Sequence, residues 1–215
     1  AEHFLKDPSS RKLPRKYKVS FSNSGADTAY ATIADLGFIA KIQDGKRGFE
    51  VYGAGGLGGS PQVGVKLENF IDEKDVLYYV QAMKELFEAE GDWQNRNKAR
   101  IRYILYRVGE EKFREILAYY IKKVKKEYNL DLKITEASIS YSEENSKPTT
   151  NSPIIIEQKQ KGYYSVFVHP ENGYLKTKNL YKLINYIKTL GYELSIRLSN
   201  TQGFYLRDIK GKDVD

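Results

Sequence analysis

The sequence contains no cysteine. That excludes, within this chain, a disulfide framework, a Cys-ligated zinc site, a thiolate nucleophile and a Cys-held iron–sulfur cluster. Histidine is almost as scarce: His3 and His169 alone cannot build a multi-His metal site. Long apolar runs are missing too, and a membrane-spanning helix would need roughly 18 or more such residues in a row. The opening stretch, AEHFLKDPSSRK, lacks the apolar core of a secretory signal. It begins without Met, in what reads as the tail of a helix, so the chain is expected to be a piece of a longer polypeptide.

What is present suits a globular protein. The 215 residues are 40% apolar and 29% charged, enough for one large or two small domains. The net charge of +7 favours an anionic partner, whether nucleic acid, an anionic cofactor or a small oxyanion.

Taken in order, Leu13 to Phe21 reads as a strand entered through Pro14. Alternation along a strand puts Lys16 and Lys18 on one face, with Arg15 and Tyr17 on the other. Thr28 to Leu36 is expected as a short helix. Gly37–Lys41 and Gly48–Tyr52 read as paired strands around the turn dipeptide Asp44-Gly45. The loop Gly53-Ala54-Gly55-Gly56-Leu57-Gly58 formally matches G-x-G-x-x-G. No helix opens behind it, which argues against a dinucleotide site. Its glycines imply a sharp turn or a close approach, and free amides at Gly55 and Gly56 would cradle an anion.

Three helical runs follow. The first spans Asp72 to about Glu90, with Asp72 as N-cap and Gly91 as stop. The second covers Arg96 to Arg107, where Arg96 and Arg100 are four apart and share a face. The third covers Glu110 to Tyr128, with a stripe of Phe113, Ile116, Leu117, Tyr120 and Ile121. Its basic end, Lys122 to Lys126, is a solvated helix terminus. Residues 1–128 are taken as one domain and the polar residues 129–160 as a linker. Residues 161–215 run strand, helix, strand, strand, the order of a ferredoxin-like piece without its last helix.

The ordered motifs LPRK-x-K (Leu13 to Lys18), DLGFIA (Asp35 to Ala40) and GF-x-VY-G-x-GGLG (Gly48 to Gly58) resemble the sirohaem-containing nitrite and sulfite reductases. So does the run Asn95-Arg96-Asn97-Lys98-Ala99-Arg100, as NR-x-x-AR. The resemblance implies an α+β fold: the later part of the family's first cofactor-binding piece, then a truncated ferredoxin-like half-domain. It implies six-electron reduction of sulfite to sulfide or nitrite to ammonia by a cytoplasmic enzyme using sirohaem and a [4Fe–4S] cluster. Ferredoxin or a flavoprotein would supply the electrons, and neither a membrane nor nucleic acid is expected as partner. Lys16 and Lys18 would face the anion and serve catalysis. Arg15, Gly55, Gly56, Asn95, Arg96, Arg100 and Gln202 would lie at the cofactor. The family's cluster cysteines have no counterpart here, so this piece alone is expected to be inactive and to bind no cofactor.

A basic, tyrosine-rich nucleic-acid-binding module is the competing reading, since 18 tyrosines could offer stacking surface. Against it, they scatter through predicted helices and strands, where packing is their commoner fate.

Overall fold

The computed structural model describes residues 2–133 and 141–215. The chain divides into two compact units, Ala1–Thr135 and Glu136–Asp215.

In the first unit a short helix α1 (Glu2–Lys6) leads through a 3-10 turn at Pro8–Arg11 to strand β1 (Val19–Ser22). Strands β2 (Leu36–Gln43), β3 (Lys46–Gly53) and β4 (Val65–Asp72) complete a four-stranded sheet in the order β1-β2-β3-β4. The β2–β3 hairpin turns on Asp44 and Gly45, whose φ values of 50° and 74° are the left-handed pair such a two-residue turn needs. β1 lies parallel to β2, with Val19 opposite Leu36. Only three residues of the expected strand 13–21 join the sheet, because the amide of Lys18 is diverted to a side chain rather than to a neighbouring strand. The helix expected over Thr28–Leu36 is a single 3-10 turn at Ala31–Ile33. Asp27 supplies its cap, accepting from the amides of Ala31 and Thr32, and β2 begins at once behind it. Gly37 is required there: a Cβ would stand 1.9 Å from the carbonyl oxygen of Ala31.

Helix α2 (Val76–Glu90) is the centre of this unit. Asp72 caps the preceding turn by accepting from the Lys74 amide, and Gly91 closes the helix onto the Phe87 carbonyl. Ten of its 15 residues are buried, as befits a helix covered on both sides. Met83 meets the sheet at Gly53, and helix α4 (Glu110–Glu127) packs on another side. α4 inserts Phe113, Leu117 and Val124, with Ile116, Tyr120 and Ile121 half-buried beside them. The short helix α3 (Ile101–Val108) joins α4 at Gly109. Of the basic end, Lys123 pairs with Glu85 and Lys125 with Asp75, so it is bound to α2's flank rather than simply solvated.

The second unit is a four-stranded antiparallel sheet, β5 (Ile155–Glu157), β6 (Tyr163–Val168), β7 (Ser195–Leu198) and β8 (Phe204–Lys210), in the order β5-β6-β8-β7. Helix α5 (Thr177–Thr189) crosses from β6 to β7 and sets Leu183 and Ile187 on Val166, Val168, Phe204 and Leu206. This is the split β-α-β of a ferredoxin-like fold, with β5 on the edge beside β6. By register Ile196 and Leu198 share the helix-side face, yet both are exposed. The expected linker 129–160 is not a free tether where it is described, and its residues 134–140 lie outside the described ones. Leu130 and Leu132 pack on the first unit's core. Tyr141 and Thr149 bond to Asp208 and Asp215, and β5 pairs with β6. Polar composition misled because residues from Tyr141 on are held largely by hydrogen bonds.

A buried carboxylate organises this second sheet. Asp208 accepts from Tyr141 at 2.9 Å, Gln158 at 3.0 Å and Ser195 at 2.6 Å. Burial pushes its carboxyl up, but these three donors outweigh it and leave it below the usual range.

Candidate functional site

The site begins with how residues 7–18 are docked. Lys84, 2% exposed in the middle of α2, bonds to Asp7 at 2.9 Å and to the Ser9 hydroxyl. Asp7 also accepts from the Ser9 amide, which fixes the turn at Pro8–Arg11. The Lys84 ammonium holds the Asp7 carboxyl down, at about 2. Farther on, Tyr17 donates its hydroxyl to the Val80 carbonyl at 3.1 Å. Burial, with the nearby Asp35 charge, raises its phenol well above the usual value.

Anchored this way, the segment forms one wall of a cleft of about 710 Å³. Arg11, Arg15, Lys16, Lys84 and Arg96 supply cationic lining, and no carboxylate among the described residues lines it. Leu13, Pro14, Tyr17 and Val19 give it an apolar floor. Arg15 is braced by donating to the Arg96 carbonyl at 3.2 Å. Such a cleft suits an anion with a flat apolar body.

Of the expected site residues, the cleft gathers Arg15, Lys16 and Arg96. Lys18 lies outside its lining, though Lys16 and Lys18 are both exposed with half-buried Tyr17 between them. The alternation therefore holds in exposure although these residues form no strand. Asn95 accepts from the Asn97 amide and caps the turn Arg96–Lys98.

The shared face expected of Arg96 and Arg100 does not exist. Helix α3 starts only at Ile101, and Arg100 has extended backbone (φ −75°, ψ 154°). Arg96 is exposed while Arg100 turns inward onto Asp35, giving it Nε at 3.0 Å and a terminal nitrogen at 2.7 Å. The free amides expected at Gly55 and Gly56 are also absent. Gly55 donates to the Ala34 carbonyl and Gly56 to that of Gln62, both at 2.9 Å. What these glycines provide is closeness: a Cβ on Gly56 would stand 2.3 Å from a terminal nitrogen of Arg102. Gln202, in the second unit, sits in the turn between β7 and β8 with a φ of 68°.

Sequence reasoning missed Arg11, Asp35 and Arg102. Arg102 is buried, donates to the Leu57 carbonyl at 2.9 Å and lies 4.9 Å from the Tyr103 ring centre. Asp35 had a signal: one acid heading an apolar strand. Tyr17, Tyr78 and Tyr79 serve packing and hydrogen bonding, and are not available for stacking.

Two family models match this chain. Residues 1–125 match the family model described as the nitrite and sulphite reductase 4Fe-4S domain, and residues 156–215 match the nitrite/sulfite reductase ferredoxin-like half domain. The chain is 28% identical to a ferredoxin–nitrite reductase of Synechococcus elongatus, over 92% of this chain and 36% of that protein. It is 29% identical to a sulfite reductase [NADPH] hemoprotein beta-component of Leptospira biflexa, over 94% of this chain and 36% of that one. The fold matches the structure of Mycobacterium tuberculosis NirA with a TM-score of 0.73 at 22% identity, covering 98% of this chain and 37% of that one. The chain thus spans little more than a third of the length of these relatives.

Proposed function

This chain belongs to the nitrite and sulphite reductase family, and we propose that it forms one part of an enzyme reducing sulfite or nitrite by six electrons. Ferredoxin or a flavoprotein is the proposed donor, and the cytoplasm the proposed compartment. The observation that carries this reading is the cleft lined by five cationic side chains and, among the described residues, by no acidic one.

The two family cofactors fare differently on these residues. A sirohaem, with its several carboxylates around a flat apolar ring, fits the cleft's chemistry: Arg15, Arg96 and Arg11 would hold carboxylates, and Leu13 and Val19 the ring. Gly55 and Gly56, with Asn95 holding the Arg96 turn, would shape the cofactor's surroundings. An iron–sulfur cluster does not fit, because the chain supplies no thiolate. When bound, sirohaem supplies the iron at which the anion is reduced.

This chain's own residues then act on charge and protons. Lys16 and Lys18 lower the cost of bringing a second anion toward a polycarboxylate. Their ammonium groups, or waters they orient, deliver protons as oxygen leaves as water. The test uses the complete polypeptide with Lys16→Met and Lys18→Met. Turnover should fall by about a hundredfold or more in each while the haem absorbance is retained. Undiminished turnover in both variants refutes the assignment.

A further inference from the structure

We propose that the buried Asp35–Arg100 pair is the positioning device of this site, setting the backbone of the lysine segment rather than holding the cofactor. The inference rests on the reading of Lys16 and Lys18 given above. It reassigns Arg100, whose guanidinium is already committed.

Asp35 has no solvent exposure, and its carboxylate is fully used. One oxygen accepts from Arg100 Nε at 3.0 Å; the other accepts from Arg100 at 2.7 Å and from the Lys18 amide at 2.8 Å. The main chain around it extends the connection. The Lys18 carbonyl accepts from Leu36, the Asp35 carbonyl from Ala54, and the Ala34 carbonyl from Gly55. Two separate stretches therefore meet at one carboxylate, the lysine segment and the residues just after the turn that carries Arg96, while the start of the glycine loop bonds the main chain of Asp35 and Ala34.

The geometry explains why a charge is worth burying there. A lysine side chain has four rotatable bonds, so the position of its ammonium can be no better defined than its own backbone. Lys18 lies just before β1, where its carbonyl already accepts from Leu36 but its amide has no ladder partner. Asp35 supplies that partner, and the Tyr17 hydroxyl on Val80 fixes the preceding residue. Arg100 in turn holds the carboxylate in one orientation through a two-pronged contact, which a lysine could not reproduce. Burial pushes the Asp35 carboxyl up, while Arg100 and the Lys18 amide oppose it.

Two double variants of the complete polypeptide separate positioning from mere stability. D35N/R100M removes both charges but keeps a side-chain oxygen for the Lys18 amide; D35L/R100M removes that acceptor as well. Amide hydrogen exchange over residues 13–21 and the KM for the anion are read in each, after thermal melting has established that both fold. In the wild type the Lys18 amide should exchange slowly although its side chain is exposed. In D35L/R100M exchange should quicken and KM rise by about tenfold relative to D35N/R100M, as expected for one lost hydrogen bond. Fast exchange in the wild type overturns the proposal without any variant having to fold, and equal KM values in the two variants overturn it as well. Absence of turnover with either anion in the wild type would instead refute the functional reading, leaving exchange at Lys18 as its own readout.

Discussion

The anchor at Lys84 permits a quantitative test of how the cleft wall is held. Replacing Asp7 by Asn removes the carboxylate that Lys84 meets at 2.9 Å and leaves an ammonium 2% exposed inside the fold. Breaking a fully buried pair in this way costs about 3–5 kcal/mol. Here Ser9 remains, Glu88 stands 3.5 Å away and Asp7 itself is 27% exposed, so about 2 kcal/mol is the better expectation. The pH dependence has a definite sign. Asp7 is lowered from 3.8 to about 2, so its contribution is complete above pH 4 and disappears as the pH falls through that interval. Urea denaturation of wild type and Asp7→Asn at pH 7 and at pH 2 measures both effects. The difference should be present at pH 7 and largely gone at pH 2. Adding Lys84→Met should recover part of the loss, because no unpaired charge then remains. A variant as stable as wild type at pH 7, or a deficit unchanged at pH 2, refutes the anchoring role.

Gly37→Ala should abolish folding of the first unit or cost more than about 4 kcal/mol, since its Cβ meets the backbone oxygen of Ala31 at 1.9 Å; circular dichroism checks this. Phe113→Ala should cost about 3–5 kcal/mol in thermal or denaturant unfolding, because its ring is fully buried among α4's contacts. Asp208→Ala leaves the Tyr141, Gln158 and Ser195 donors without their acceptor. It should destabilise the second unit by about 2–4 kcal/mol at pH 7, with the deficit shrinking as the pH falls through the carboxylate range. Tyr192, raised to about 12 by burial, should be among the late phenols in an alkaline absorbance titration, and Tyr192→Phe should remove that step.

Local chemistry was legible wherever it acted through neighbours in sequence. The Asp44-Gly45 turn, the Asp72 cap, the Gly91 stop and the buried stripe of α4 all follow from residue type and spacing. Strand β4 is hard to read from sequence although Val65, Leu67 and Ile71 alternate, because Asn69 interrupts the apolar set. Within the family motifs, Arg15, Lys16 and Arg96 share a cleft. What spacing could not reveal was partnership across long separations. Arg100 looks like an exposed helix residue until Asp35, 65 positions away, is seen to hold it. The amides of Gly55 and Gly56 look free until Ala34 and Gln62 are found on them.

The second unit's sheet has a colloidal consequence. β7 is an outer strand among the described residues, with one row of main-chain groups unpaired by any other described strand, and it carries Ile196 at 50% exposure and Leu198 at 86%. An oily, uncovered rim of this kind templates strand addition between molecules. Concentrated preparations of this piece should therefore scatter light increasingly with time. Leu198→Lys, which places a charge on that rim at a side chain 86% exposed, should clear the solution while leaving the melting temperature in place.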